Sequence, residues 1–279
     1  MNRGRRFAAG LAGSLVMACV MLPVAAAGAG DEPVQPSDSW WSRWSWGEGV
    51  LRWGFGGVSY GDSASRITGS DNLVNQLRTI SGVKGIELSG PIDVVLKQGP
   101  AEKLALHTDD NIAPLIQTAV DDGILRIGVQ PGAAFRTKHA IGVTVELPHL
   151  DSVKVLGSGD LSCSQFDTDL LEIAAGGSGR VRFDSLRTGK LAVRVQGSGD
   201  VRLSGTAAKQ AYGIEGSGNI DAEELAGREV AVRIAGSGGA KVWATESLSI
   251  EIAGSGNVDY RGQPVLTRNV HGPGDVVHH

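Results

Sequence analysis

The sequence predicts an all-β protein built as a single-stranded parallel β-helix, and three observations carry that expectation. The tripeptide Gly-Ser-Gly returns six times, opening at Gly157, Gly177, Gly197, Gly216, Gly236 and Gly254, with spacings of 20, 20, 19, 20 and 18 residues. A period of this size is the mark of a solenoid. Apolar and polar residues alternate on both sides of every tripeptide, the two-residue repeat of a strand with one dry face rather than the 3.6-residue repeat of a helix. Glycine supplies 41 of the 279 residues and proline only 10, which points to many tight corners and away from collagen-like winding.

The repeat defines each coil. Four and two residues before the first glycine, and four and six after it, stand Val153, Val155, Leu161 and Cys163; Ile173, Ala175, Val181 and Phe183; then Val193, Val195, Val201 and Leu203. The series continues with Tyr212, Ile214, Ile220 and Ala222; Val232, Ile234, Ala240 and Val242; and Ile250, Ile252, Val258 and Tyr260. None of these 24 is charged or an amide, and β-branched residues dominate, as strands prefer. Intervening positions hold Lys154, Arg182, Arg194, Arg202, Asp221, Arg233, Lys241, Glu251 and Asp259. Each rung therefore reads as strand, corner, strand and about eight looser residues, stacking in parallel at about 4.8 Å. The coil is expected to wind right-handed, as crossover connections do.

The corner glycines are Gly157, Gly159, Gly177, Gly179, Gly197, Gly199, Gly216, Gly218, Gly236, Gly238, Gly254 and Gly256. They share the inward parity of the apolar residues, so a side chain there is expected to crowd the interior, and glycine also tolerates positive φ at a sharp bend. The serine between them points outward and is expected to bond neighbouring rungs through its hydroxyl. Full repeats cover about 151–262. Residues 263–279, with Gly272-Pro273-Gly274, read as a degraded last rung in which Arg268 and His278 occupy normally apolar slots, as a cap or frayed end would.

Before the repeats, "IELSGPIDVVL" shows the same alternation around Gly90, with Ile86, Leu88, Ile92 and Val94 in phase. "KLALHT", "GILRIGV" and "AIGVTVELPHL" give further strands, and "DDNIAPLIQTAV" reads as a short helix with Pro114 in an early turn. These look like early coils with excursions, so the β-helical domain is assigned to 81–279.

Residues 1–30 read as a secretory signal peptide: a basic head with Arg3, Arg5 and Arg6, an apolar stretch, and small residues before Ala27 and Ala29. The pattern favours signal-peptidase cleavage over lipidation at Cys19, because Met17 fits a lipobox poorly and the apolar run continues past the cysteine. No later apolar run is long enough to span a bilayer. Removing the three arginines shifts the net charge from −4 to about −7, which disfavours nucleic acid and anionic lipid as partners. Cys163 is then the only cysteine, so no intrachain disulfide is expected. Residues 31–80 form a partly irregular Trp/Gly/Ser-rich segment holding Trp40, Trp41, Trp44, Trp46 and Trp53.

The phrases "IELSGPIDVVLKQGP", "TDDNIAPLIQTAVDDGILRIGV" and "VTVELPHLDSVKVLGSGDL", followed by the run of Gly-Ser-Gly-Asp/Asn phrases, resemble the bacterial GIN domain. That family is also called the "putative autotransporter adhesin head domain", and the resemblance covers about residues 80 to 262. It implies an exported β-helical protein of the kind common in Gram-negative bacteria, and it brings no catalytic residues.

Candidate sites follow from stacking. The residue after each second glycine is Asp160, Arg180, Asp200, Asn219, Gly239, Asn257 and, in the last rung, Asp275, which together form a polar ladder. Asp160 and Asp200 would stand about 9–10 Å apart. That is near the limit for an inverting glycosidase, but Arg180 between them would lower both pKa values where catalysis needs one raised. Calcium-binding repeats need nine-residue periods with an acid in every turn, and Arg180 and Gly239 break that pattern. His271, His278 and His279 cluster at the terminus, where solvated side chains are commoner than a metal site, and no base accompanies Cys163 in the motif. No cofactor is implied.

Asp160, Asp200, Asn219, Asn257 and the five tryptophans are the candidate binding residues, since exposed aromatics mark contact sites; the alternative for the tryptophans is packing on the open end or flank of the solenoid as a cap. The function expected is non-enzymatic binding or adhesion in the cell envelope, in the periplasm or at the cell surface, towards polysaccharide or another envelope component. A carbohydrate-active enzyme is the alternative, by fold analogy alone, and a purely structural envelope component is the third reading. Intact-mass measurement of the exported chain is expected to place its N-terminus just after Ala27 or Ala29. An added lipid mass on Cys19 would overturn that assignment.

Overall fold

Alternation becomes a stack of parallel strands over residues 66–279, the part of the chain that the computed structural model describes. In chain order, β1 (Ile67–Thr68) and β2 (Leu73–Arg78) precede the first coil, formed by β3 (Gly85–Leu88) and β4 (Ile92–Gln98). An excursion follows through β5 (Lys103–Asp109), a 3-10 turn at Ala113–Leu115 and β6 (Ile116–Asp121). The chain returns as β7 (Ile124–Val129), β8 (Phe135–Arg136) and β9 (Ile141–Leu147). The repeats then run through β10 (Ser152–Val155), β11 (Leu161–Cys163), β12 (Phe166–Ala175), β13 (Val181–Val195), β14 (Val201–Ile214), β15 (Ile220–Ile234) and β16 (Ala240–Ala253). β17 (Val258–Arg261), β18 (Val265–His271) and β19 (Val276–His278) complete the stack.

Two walls meet at the Gly-Ser-Gly corner. On the wall before it, Leu125, Ile86, Val153, Ile173, Val193, Tyr212, Val232 and Ile250 lie in one register column. On the wall after it, Val143, Val94, Leu161, Val181, Val201, Ile220, Ala240 and Val258 form another. Of the 24 positions chosen by alternation, 23 are buried and Tyr260 is partly buried. Each buried Val, Ile or Leu contributes about 1.5–3 kcal/mol, set against the entropy of ordering the chain. The segment between rungs, expected to be loose, is strand as well: β13 to β16 each run from one corner to the next. It adds Phe166, Leu171, Leu186, Leu191, Leu225, Val230 and Leu248 to the core. Gln210 shares the column of Leu191 and Val230, and its amide is fully bonded. Nε2 donates to the carbonyls of Ala207 and Leu225 at 3.1 and 3.2 Å, and Oε1 accepts from the Tyr212 hydroxyl at 2.8 Å.

The reason for glycine at the corner differs from the one expected. A Cβ on any of the twelve corner glycines would fall within 3.0 Å of a backbone carbonyl oxygen of the preceding rung, as Gly177 over Gly157, Gly197 over Gly177 and Gly238 over Gly218 illustrate. The obstacle is the rung beneath, and positive φ is not the general cause: among the twelve, only Gly254 has it. Such close approach lets one carbonyl accept two N–H groups. Those of Ser198 and Gly199 both reach Gly177 O at 3.1 Å, and those of Ser217 and Gly218 both reach Gly197 O at 3.1 Å. The serines thus bond the neighbouring rung through backbone N–H, while their side chains lie at exposed positions.

The early coils stack out of chain order. β3 pairs with β7 on one side and β10 on the other, and β4 pairs likewise with β9 and β11. The coil formed first is therefore enclosed between two that follow it. Beyond it, β5 lies antiparallel on β9, β2 antiparallel on β5, and β6 antiparallel on β7. The short helix expected over "DDNIAPLIQTAV" is confined to the 3-10 turn. Asp122 (φ 50) and Gly123 (φ 76) make the two-residue hairpin loop that draws Ile116–Asp121 into a strand. Arg78 clasps the turn, donating to the carbonyls of Ala113 and Ile116 at 2.9 and 2.6 Å. At the other end, Arg268 continues the column of Ile250 and His278 that of Tyr260. The last rung keeps its backbone pairing, and both residues are exposed.

Replacing Gly179 or Gly218 with alanine is expected to cost about 1–3 kcal/mol through overpacking against the rung below. Ser178→Ala and Ser217→Ala should stay within about 0.5 kcal/mol, as exposed changes do. Urea unfolding midpoints check both, and equal effects of the two classes would contradict the stacking account.

Candidate binding edge

The residue after each second glycine starts the outer edge of the second wall. Stacking places Asp93, Asp160, Arg180, Asp200, Asn219, Gly239, Asn257 and Asp275 in one column, since their C-terminal neighbours pair in register. Short acceptor side chains reach the backbone N–H of the next rung. Asp93 Oδ1 accepts from Asp160 N at 3.0 Å, and Asp160 Oδ1 from Arg180 N at 2.9 Å. Asp200 Oδ1 accepts from Asn219 N and Nδ2 at 3.2 and 3.0 Å, Asn219 Oδ1 from Gly239 N at 3.0 Å, and Asn257 Oδ1 from Asp275 N at 3.0 Å. The ladder is interrupted after Arg180 and after Gly239, the two positions without a short acceptor.

Four of the candidate binding residues, Asp160, Asp200, Asn219 and Asn257, are thus brought onto one edge and also hold it together. Arg180 Nη2 pairs with Asp160 Oδ2 at 3.2 Å, half of the Asp–Arg–Asp arrangement expected. Two residues further along each rung lies a second outward column, Ser162, Arg182, Arg202, Asp221, Lys241 and Asp259. Arg182 pairs with Asp184, and Arg202 stands 3.9 Å from Asp221. The edge is a strip of mixed charge, renewed at each rung and mostly exposed.

This chemistry suits contact better than bond cleavage. Burial pushes the Cys163 thiol up to about 11, and its Sγ donates to Gln165 O at 3.3 Å, so it is no nucleophile at neutral pH. His278 stacks on Tyr260 with ring centroids 4.8 Å apart, and its Nε2 lies 2.7 Å from Gly262 O. His279 Nε2 faces Asp259 Oδ1 at 3.8 Å. Trp40, Trp41, Trp44, Trp46 and Trp53, together with residues 1–30 expected to be a signal peptide and Cys19 within them, lie outside the described residues. Sequence reading missed the column of Arg182, Arg202 and Lys241 as a companion of the ladder, although the same alternation contains it. It also missed a cluster of Asp71, Asp109 and His139, whose ligand atoms lie within 4.8 Å of one another. The turn tetrads "GSDN" at 69–72 and "TDDN" at 108–111 were its only trace.

Taken with the fold, these features define a parallel β-solenoid with stacked glycine corners and a polar edge. The chain belongs to the family described as "Putative auto-transporter adhesin, head GIN domain", whose model matches residues 83–264. Among solved structures, a "putative adhesin" of Bacteroides fragilis is 29% identical with a TM-score of 0.74, over 76% of this chain and 100% of its own. A "putative adhesin" of Parabacteroides merdae is 25% identical with a TM-score of 0.62, over 77% and 100%. A "Putative lipid binding protein" of Parabacteroides distasonis shares the fold at 23% identity and a TM-score of 0.66, over 77% and 100%. Curated proteins yield no significant match. Family and neighbours support a non-enzymatic, adhesion-like role, and no helix among the described residues is long and apolar enough to cross a membrane.

Asp200→Ala is expected to lower stability by about 0.5–1.5 kcal/mol, the worth of a hydrogen bond to a neighbouring rung. Asp200→Asn, which keeps an acceptor, should stay within about 0.5 kcal/mol. Denaturant titration separates the two, and equal losses would show the carboxylate acting by charge alone.

Proposed function

We propose that the protein is an exported cell-envelope component that binds polysaccharide, or another surface molecule with a repeating structure, along the edge of its second wall. The observation that carries this reading is the pair of polar columns, Asp160, Asp200, Asn219 and Asn257 beside Arg182, Arg202, Asp221 and Lys241, one or both of which present a polar side chain at every rung. Rungs are spaced at about 4.8 Å, so equivalent groups recur at a fixed interval, and a repeating polymer can meet them one after another. The strip is prepaid in entropy: the rung-to-rung bonds of Asp160, Asp200 and Asn219 already hold these side chains in place, so little ordering remains for the ligand. Both signs of charge occur along the strip, so it can hydrogen-bond a polymer directionally and does not depend on the ligand being a polyanion.

The tryptophans at 40, 41, 44, 46 and 53 extend this reading as aromatic platforms for sugar rings. Export rests on the basic head, apolar stretch and small residues of 1–30. Periplasm and cell surface are both compatible with it.

Retention of the purified protein on a panel of bacterial and plant polysaccharides tests the proposal. Binding to at least one polymer is expected, weakened on the order of tenfold or more, about 1.4 kcal/mol, when Arg182 and Arg202 are both replaced by glutamate. Release of shortened products would turn the reading to a carbohydrate-active enzyme. Retention on no polymer would leave a structural envelope component.

A further inference from the structure

Three segments distant in sequence meet beside the antiparallel strands that cover the early coils. They are the turn Gly69–Asn72 ahead of β2, the turn that follows β5 at Asp109, and the stretch Thr137–His139 that leads into β9. One carboxylate oxygen from each of Asp71 and Asp109 and a ring nitrogen of His139 lie within 4.8 Å of one another. Asp109 is fully buried, at 0% exposure. Its Oδ2 accepts from the Thr137 hydroxyl, while its Oδ1 is buried without any hydrogen-bond partner among the described residues. An uncompensated buried carboxylate oxygen is costly, and a cation is the group that compensates it best. Gly69 lets the first turn pack directly on this carboxylate: a Cβ there would come within 2.5 Å of Asp109 Oδ2 and 3.3 Å of the Thr137 side chain.

Charge and geometry point the same way. Asp71, Asp109 and Asp110 bring three carboxylates to this corner. Asp110 is occupied by the Ser70 hydroxyl and by Asn72 Nδ2 at 2.8 Å. Lys138 Nζ holds Asp71 Oδ2 at 2.6 Å, and no other lysine or arginine among the described residues pairs with the three acids. Asp71 Oδ1 faces His139 Nε2 at 3.6 Å. Two ligands about 2.0–2.1 Å from a tetrahedral zinc ion stand about 3.3–3.4 Å apart, so this pair is already near the required separation. Bringing Asp109 in from 4.8 Å needs a movement of about 1.5 Å or less.

We propose that Asp71, Asp109 and His139 bind a divalent cation of the zinc class. Imidazole beside carboxylates selects zinc and its transition-metal neighbours, whereas calcium and magnesium take oxygen ligands. Asp109 is the buried anchor, oriented by Thr137. Asp71 and His139, with side chains 49% and 39% exposed, close the site from the solvent side and leave a coordination position open to water or to an acidic group of a partner. The ion ties together the chain before β2, the end of β5 and the approach to β9, and so staples the covering strands to the first coils.

The test is isothermal titration of zinc chloride into the full-length purified protein after removal of metals by a chelator. It is repeated in a variant with His271, His278 and His279 changed to alanine, which removes the competing terminal imidazoles. One equivalent is expected to bind in both, with a rise in Tm, and calcium chloride is expected to produce neither. His139→Ala and Asp71→Asn, both at partly exposed positions, should each weaken zinc binding by more than tenfold. Thr137→Val should weaken it by about 10–100-fold, as loss of a group that orients a ligand does. Asp109→Asn should abolish binding, and if it fails to fold the two solvent-side variants carry the test. Binding that disappears with the terminal histidines and survives His139→Ala would overturn the proposal. So would the absence of any zinc-dependent heat or Tm shift, which would leave the Asp109 oxygen to a buried water.

Discussion

The distance at which one rung rests on the next at the glycine corner governs this molecule. A first-glycine carbonyl can accept two N–H groups from the rung above only because no Cβ intervenes, and both walls take their register from that contact. The register, in turn, aligns Val193 with Tyr212 and Val201 with Ile220, so that the interior is a set of continuous columns. Each aliphatic side chain contributes only about 1.5–3 kcal/mol, and backbone order costs about 1–2 kcal/mol per residue, so no rung is stable alone. A single methyl at the corner would act on two walls at once.

Variation in repeat length falls between the corners and not at them. Between β13 and β14 the offset changes from 20 residues at Phe183 to 19 at Leu186, and between β15 and β16 the register shifts twice after Ala222. The four residues before each corner and the first two after it keep their pairing throughout, whereas between β14 and β15 the register already shifts between Arg202 and Ser204. The ends are treated differently from each other. Antiparallel strands cover one, whereas the last rung places Arg268 and His278 at inward-register positions, a charge-bearing edge of the kind that discourages further strand addition.

Period-two alternation made the walls legible in the sequence: Val153 through Val258 were all assigned inward, and all are buried. The positions of the corners were legible too, but not why glycine fills them, because the collision partner of Gly177 is Gly157, twenty residues away. The strand at Ile116–Asp121 escaped because Pro114 and the preceding acids imitate a helix start, while Asp122-Gly123 decides the matter by closing a hairpin. The polar ladder was visible as a series of residue types, and its breaks at Arg180 and Gly239 follow from side-chain length. The enclosure of β3 and β4 between later coils, and the meeting of Asp71 with Asp109 and His139, depend on pairings across tens of residues. Local periodicity carries no trace of such pairings.

Because irregular length is absorbed between the corners and never at them, a unit of 18 to 20 residues can be added or removed as one step, though none stands alone. Duplicating or deleting one would leave both terminal arrangements untouched and would lengthen or shorten the polar strip by a single step. Reach is thereby quantised, and evolution can treat it as a graduated ruler whose divisions are set by backbone hydrogen bonding and not by the side chains displayed on it.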